Sequence, residues 1–161
     1  MSLSEQYNVG PRIKGVTALV NTAIAGTTAT GPTTEDGRAI DRLALGRRYY
    51  SCKAIVSGVF IGNSTAQSAS MGVNFQHSSD GTSWDNYSTD TVPAVTAFGP
   101  SSNSTNGTEY GVVEQSVNLR GARQYIRIQV PPITVSSSSA GNAINAHGVI
   151  VFGGGDELPA A

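Results

Sequence analysis

The sequence is poor in cysteine and in charge. It contains a single cysteine, Cys52, and only 13% of its 161 residues are charged, against about 25% in ordinary globular proteins. One cysteine cannot form an internal disulfide, which excludes a disulfide-stabilised scaffold. Ten Lys and Arg residues nearly balance eleven Asp and Glu residues, whereas a nucleic-acid-binding face needs an excess of basic residues. We therefore expect no nucleic-acid partner.

The sequence also lacks long hydrophobic runs. No stretch approaches the ~20 apolar residues that a membrane span requires. The first residues, Met1 to Gln6, contain neither the basic region nor the apolar run of a secretory signal. We therefore expect a chain that is synthesised in a cytoplasm and has no membrane partner.

Motifs for catalysis or metal binding are equally scarce. No Gly-x-Ser-x-Gly or Ser-x-x-Lys motif occurs, so no serine is marked as a nucleophile. His77, His147 and Cys52 fall in separate predicted strands, without the paired spacing typical of metal ligands. Packing at a strand end is the expected role of both histidines. The sequence thus predicts a protein that is not an enzyme and has no catalytic residue, metal or cofactor.

The sequence is rich in alternating apolar and polar residues, the pattern of strands with one buried face. Glycine- and serine-rich turn clusters separate these runs. The predicted buried faces carry Val16, Ala18 and Val20; Cys52, Ala54, Val56 and Phe60; Met71, Val73 and Phe75; Gly111, Val113, Val117 and Leu119; and Ile126, Ile128 and Val130. A last strand is predicted from about Ala146 to Phe152. Six to eight such strands predict an all-β fold, a single antiparallel β-sandwich of the jelly-roll type.

The two ends differ from the middle, because they are polar or glycine-rich and cannot pack a core. We predict an N-terminal arm at residues 1–11, a sandwich domain at 12–152 and a C-terminal tail at 153–161. Arms of this kind are expected to bind a neighbouring subunit. The predicted contacts at the ends are Ser2, Leu3, Tyr7, Arg12, Asp156 and Leu158.

Arginine and tyrosine, which are enriched at protein interfaces, cluster twice. Arg47, Arg48 and Tyr49 are predicted partner contacts, with a solvated sheet face as the equal alternative. A second cluster places Arg120, Arg123 and Arg127 around Tyr125. The single tryptophan, Trp84, is interpreted as a core anchor, with a sugar-binding platform as the alternative.

Two segments, Val73 to Trp84 and Ala122 to Ile128, resemble the Ser-x-Asp-Gly-x-x-Trp hairpin and the Ala-Arg-x-Tyr-Ile-Arg-Ile strand of discoidin-type jelly rolls. In this resemblance the turn returns the tryptophan over the sheet. The residues of the fold motif are Asp80, Gly81, Trp84, Arg123, Tyr125 and Arg127.

Over more of its length the chain resembles head decoration (cement) proteins of tailed bacteriophages. The resemblance lies in the short, Ser/Thr/Gly-rich chain, the Phe75–Gly81 hairpin, the Ala122–Ile128 strand, and the ending Val149–Gly154 followed by Leu158-Pro159. It implies a structural virion protein on the capsid surface, made in the bacterial cytoplasm. It also implies the major capsid protein as partner and a homo-oligomer, with a trimer favoured. The alternative is a carbohydrate-binding module of a phage fibre or another glycan-binding assembly.

Overall fold

A computed structural model of the chain describes residues 13–25, 34–62, 69–87, 94–98, 107–131, 134–135 and 143–154. In these ranges the secondary structure is β-strand, with a single 3-10 turn at Leu43–Leu45. The strands are β1 (Lys14–Ala25), β2 (Glu35–Asp36), β3 (Ile40–Asp41), β4 (Ser51–Gly62), β5 (Ala69–Ser78), β6 (Asp85–Asn86), β7 (Ala94–Phe98), β8 (Gly107–Asn118), β9 (Tyr125–Val130), β10 (Thr134–Val135) and β11 (Ala143–Gly153).

The strands form two antiparallel sheets. The first sheet has the order β1-β11-β4-β8, and the second has the order β10-β5-β9-β2, with β3 on β9 and both β6 and β7 on β5. The pairing is nested along the chain: β1 pairs with β11, β2 and β3 with β9, β4 with β8, and β5 with β7. This is the wrapping of a jelly roll. The predicted all-β antiparallel sandwich is confirmed.

The core lies between the sheets and is built from the alternating residues of each strand. The predicted apolar faces of β4, β5, β8 and β9 are buried: Cys52, Ala54, Val56 and Phe60; Met71, Val73 and Phe75; Val113, Val117 and Leu119; and Ile126, Ile128 and Val130. β-Branched and aromatic side chains fit such a pleated, half-buried surface, which is why these segments form strands. The prediction from alternation is confirmed for these four strands.

The predicted face of β1 is only partly correct. Ala18 is buried as expected, but Val20 is 70% exposed and its neighbour Leu19 is 4% exposed. The cause is an irregularity in the pairing with β11, where the register shifts on both sides of Leu19. A bulge of this kind moves the following residues to the opposite face.

Two glycines allow the sheets to approach closely. A Cβ on Gly148, in β11, would lie 2.9 Å from Cδ1 of Ile128 in the opposite sheet. Gly37 lies where the edges of the two sheets meet. Its N–H donates to the carbonyl of Ile128, in the second sheet, at 2.8 Å, and the N–H of Arg38 donates to the carbonyl of Ala18, in the first sheet, at 2.7 Å. A Cβ on Gly37 would lie 2.7 Å from that Ala18 oxygen, so a larger residue does not fit.

Candidate functional site

One end of the sandwich gathers the arginine-rich loops. The start of β1, the start of β4, the end of β8 and the end of β11 all lie there, since Phe152 pairs with Lys14 and Cys52, and Cys52 pairs with Val117. Two loops close this end, residues 42–50 before β4 and residues 119–124 after β8. We call this end, with its five arginines Arg42, Arg47, Arg48, Arg120 and Arg123, the arginine pole.

The two loops of the arginine pole enclose a pocket of about 390 Å³. Its described lining consists of the five arginines together with Leu43, Tyr49, Ala122 and Gln124. Half of the chain's ten basic residues therefore line one pocket. No described carboxylate lines it. The electrostatic character of the pocket is therefore cationic, although the chain as a whole carries a net charge of −1.

Arg42 holds the two loops together. Its guanidinium donates to the backbone carbonyls of Ala122 at 2.5 Å, Arg123 at 3.0 Å and Leu119 at 3.1 Å. Burial lowers the pKa of Arg42, and the nearby charge of Arg48 lowers it further. Its hydrogen-bond partners among the described residues are carbonyl oxygens, so Arg42 forms part of the pocket wall as a positive charge without a described carboxylate partner.

Arg48 and Arg120 lie on the exposed rim of the pocket. Their guanidinium carbons are 5.7 Å and 5.9 Å from the centroid of the same ring, that of Tyr50. Arg123 is different, because it forms an ion pair with Asp85. The pole thus combines two arginines that stack on one tyrosine with a third that is neutralised by a carboxylate.

The structure corrects one predicted contact at the pole. Tyr49 is buried, and its ring packs at 5.6 Å from the ring of Phe152. It belongs to the core, so the expected exposure of Tyr49 is wrong, although Tyr49 also lines the pocket. Arg47 and Arg48 do line the pocket. The predicted contacts of the arm and tail, Ser2, Leu3, Tyr7, Arg12, Asp156 and Leu158, lie outside the described residues.

A second polar cluster lies on the outer face of the other sheet. Arg127 donates from Nε to Oε1 of Gln76 at 2.7 Å and pairs with Asp36 at 3.0 Å. Its guanidinium lies 4.4 Å from the centroid of the Trp84 ring. Trp84 is half-buried there, so its interpretation as a core anchor is wrong. The sequence grouped Arg127 with Arg120, but in the structure Arg127 contacts Gln76 and Asp36 on this sheet and does not line the pocket of the arginine pole.

The hairpin before Trp84 is fixed by Asp80. Its Oδ1 accepts hydrogen bonds from the N–H groups of Thr82 and Ser83, both at 2.8 Å, and from the hydroxyl of Ser78. These bonds, with the two backbone donors first, hold the pKa of Asp80 well below its ordinary value. Gly81 follows with a φ of 76°, which a residue with a side chain rarely adopts. The predicted Asp-Gly turn is present.

The histidines and the cysteine lie apart from one another. Nδ1 of His77 accepts from the N–H of Arg123 at 3.4 Å, and its ring packs 4.7 Å from that of Tyr87. Burial, followed by the charge of Arg123, lowers the pKa of His77. His147 is exposed within β11, not at its start. Burial raises the pKa of the Cys52 thiol to about 12. Among the described residues, no group of three or more potential ligands could hold a metal ion.

The outer face of the first sheet carries two exposed apolar side chains on β8, which sequence reasoning missed. Tyr110 is 78% exposed and Val112 is 54% exposed, and their cross-strand partners on β4 are Val59 and Ser57. The signal was available, because the outward-facing positions of β11 also carry valines, such as Val149.

The fold and the pocket define the class of the chain, a jelly-roll β-sandwich with an arginine-lined pocket at one end. No protein-family model and no curated protein sequence matches it. Several solved structures are similar to it. The infectious bursal disease virus VP2 subviral particle matches with 16% identity and a TM-score of 0.45, over 92% of this chain and 34% of that chain. This chain therefore spans about a third of the length of that viral protein.

Two further similar structures have chain lengths close to that of this protein. The Tobacco streak virus coat protein matches with 12% identity and a TM-score of 0.38, over 96% of this chain and 95% of that chain. The C-terminal family 22 carbohydrate binding module of Clostridium thermocellum Xyn10B matches with 12% identity and a TM-score of 0.39, over 91% and 89%. All three TM-scores are below 0.5, so the jelly-roll assignment stands on the strand pairing of this chain. No helix in the described ranges is long and apolar enough to cross a membrane.

Proposed function

We propose that this chain is a structural virion protein that binds the outer surface of a bacteriophage capsid and stabilises it by bridging capsid subunits. One observation of the structure carries the proposal. The arginine pole contains the cationic pocket and also the places where the described domain begins and ends. Lys14, at the start of β1, donates to the carbonyl of Leu45 at 3.2 Å, and Gly154, after β11, lies beside Ser51.

This placement matters because the arm, the tail and the pocket can then contact the same partner. A domain with its ends at opposite poles would present them to different surfaces. The resemblance to phage decoration proteins supports the major capsid protein as that partner. In this proposal the chain is not an enzyme, and it acts as a homo-oligomer, with a trimer favoured.

Capsid stabilisation would follow from binding alone. A protein that binds only the assembled shell stabilises that shell by mass action, in the same way that a ligand stabilises a folded state. Several copies linked in one oligomer convert weak single contacts into a long-lived attachment. The chain would be made in the bacterial cytoplasm and be found on the virion.

Two measurements test this proposal. The number of copies on density-purified particles should reach hundreds, comparable with the major shell protein. A variant without residues 1–11 should keep the melting temperature of the full chain and fail to bind particles that lack the protein. Full binding by this variant would contradict the role of the arm, and a few copies per particle would contradict decoration.

A carbohydrate-binding module remains the second candidate, because Trp84 lies on the outer face of a sheet with its ring stacked on Arg127. A partly exposed tryptophan is a suitable platform for a sugar ring. Binding of a glycan array by the full chain, lost on Trp84→Ala and kept on Tyr110→Ala, would favour this candidate. Tyr110 is the matched control, since it is an exposed aromatic residue on the other sheet.

A further inference from the structure

No carboxylate lines the arginine pocket among the residues that the structure describes. Two carboxylates border it without lining it, and both already have partners. Asp85 pairs with Arg123, and Oδ1 of Asp41 accepts from the N–H of Leu43 at 2.9 Å and from the side-chain amide of Gln124 at 3.2 Å. Among the described residues, no carboxylate pairs with Arg48 or Arg120.

Arg48 and Arg120 contact the same aromatic side chain. Both guanidiniums lie within 6 Å of the Tyr50 ring centroid, although they belong to loops that are about seventy residues apart in the sequence. A carboxylate that reaches either guanidinium would form charge-assisted hydrogen bonds with it, because the planar guanidinium matches a carboxylate in a bidentate geometry.

The pocket also offers an apolar contact beside these charges. Leu43 is 71% exposed at the pocket, and Ala122 lines the pocket next to it. A ligand that fits both features carries carboxylates next to apolar side chains. A long polyanion such as a nucleic acid is disfavoured, because outside the pocket the chain has only five basic residues against eleven acidic ones.

We propose that the pocket of the arginine pole binds an acidic peptide segment of a protein partner. Arg48 and Arg120 hold its carboxylates, and Leu43 packs against an apolar side chain next to them. Only the identity of the partner as a capsid subunit rests on the proposed function. Recognition of the acidic segment by the pocket does not depend on it.

The test is a titration of the full chain, followed by fluorescence anisotropy, with a labelled peptide of three Glu-Leu repeats. We compare Arg48→Gln combined with Arg120→Gln against a control, Arg38→Gln combined with Lys53→Gln, which removes two exposed positive charges outside the pocket. The pocket variant should raise the Kd about tenfold or more, because it removes two charge-assisted contacts. The control should change the Kd less than about threefold, since exposed charges at a distance are screened.

Peptide controls complete the experiment. Replacing Glu with Gln in the peptide should abolish binding, and replacing Leu with Ser should weaken it. The proposal is overturned if the full chain does not bind the Glu-Leu peptide, if both protein variants lose affinity equally, or if the Gln peptide binds as well. It is also overturned if inorganic phosphate or glucuronate displaces the peptide at concentrations below the peptide's own Kd, which would indicate a phosphate or sugar-acid site.

Two results separate this proposal from the proposed function. The titration contains no particles, so a chain that decorates capsids without binding the peptide contradicts only the acidic-segment proposal. A chain that binds the peptide but is absent from particles contradicts only the capsid role. A last outcome concerns residues 155–161 of this chain. If a variant without them binds the peptide and the full chain does not, the pocket takes the chain's own acidic segment, and the proposal of a segment from a protein partner is overturned.

Discussion

Replacing Gly148 with alanine should push the two sheets of the sandwich apart. The new Cβ would lie 2.9 Å from Cδ1 of Ile128, 3.2 Å from Cγ2 of Val56 and 3.3 Å from Cβ of Leu19. All three distances are shorter than ordinary carbon contacts, and all three atoms belong to a close-packed core. Overpacking of this kind costs about 1–3 kcal/mol. We expect Gly148→Ala to lower the free energy of unfolding by that amount, measured by urea denaturation with an unchanged m-value.

A double-mutant cycle tests the cause of this loss. Ile128→Val removes Cδ1, the nearest atom, and by itself should cost about 0.5–1.5 kcal/mol. The combined variant should therefore lose about 1 kcal/mol less than the sum of the two single losses. Gly15→Ala is the matched control, because a Cβ there meets nothing within 4 Å. Additive losses in the double variant, or a Gly148→Ala variant as stable as Gly15→Ala, would refute the reasoning.

Three further predictions concern the polar clusters. Arg42→Met should lower the free energy of unfolding by about 2 kcal/mol, because backbone carbonyls lose a charged donor. Thermal unfolding measures this loss. A variant as stable as the original chain would contradict the role of Arg42 in joining the loops. Trp84→Ala should lower the free energy of unfolding by about 1–2 kcal/mol, because the ring no longer stacks on Arg127. Loss of a core tryptophan would instead cost about 3–5 kcal/mol, and chemical denaturation distinguishes the two values. The lowered pKa of Asp80 stabilises the folded state above the ordinary pKa of 3.8, and the stabilisation is lost as the pH falls below that value. Asp80→Asn should therefore flatten the acid limb of a stability curve between pH 5 and pH 2, and an unchanged limb would contradict this.

Local alternation was enough to predict the strands that keep one register. β4 and β9 follow it along their described lengths, because each pairs regularly with its neighbours. It failed at Val20, where the pairing with β11 shifts and reverses the faces. It also failed at Trp84, because a large aromatic ring found a guanidinium partner outside the core.

The pocket could not be predicted, because it depends on contacts between distant parts of the chain. The bond from Arg42 to the carbonyl of Leu119 joins residues 77 positions apart. The sequence does place Arg47, Arg48, Tyr49 and Tyr50 side by side, but alternation alone does not say which of them turns inward. The packing of Tyr49 on Phe152 decides this, and β11 supplies it.

The single cysteine gives this protein a reporter of its own opening motions. Cys52 lies in the central strand β4, at the same end of the sandwich as the arginine pole, where it is 4% exposed. A thiol reagent can reach it only when the sheets separate locally or when the whole domain unfolds. The rate of modification, measured against that of the unfolded chain, therefore gives the free energy of opening next to the pocket without any engineered label. Comparing that rate with and without a bound ligand would show how far ligand binding stabilises this end of the sandwich.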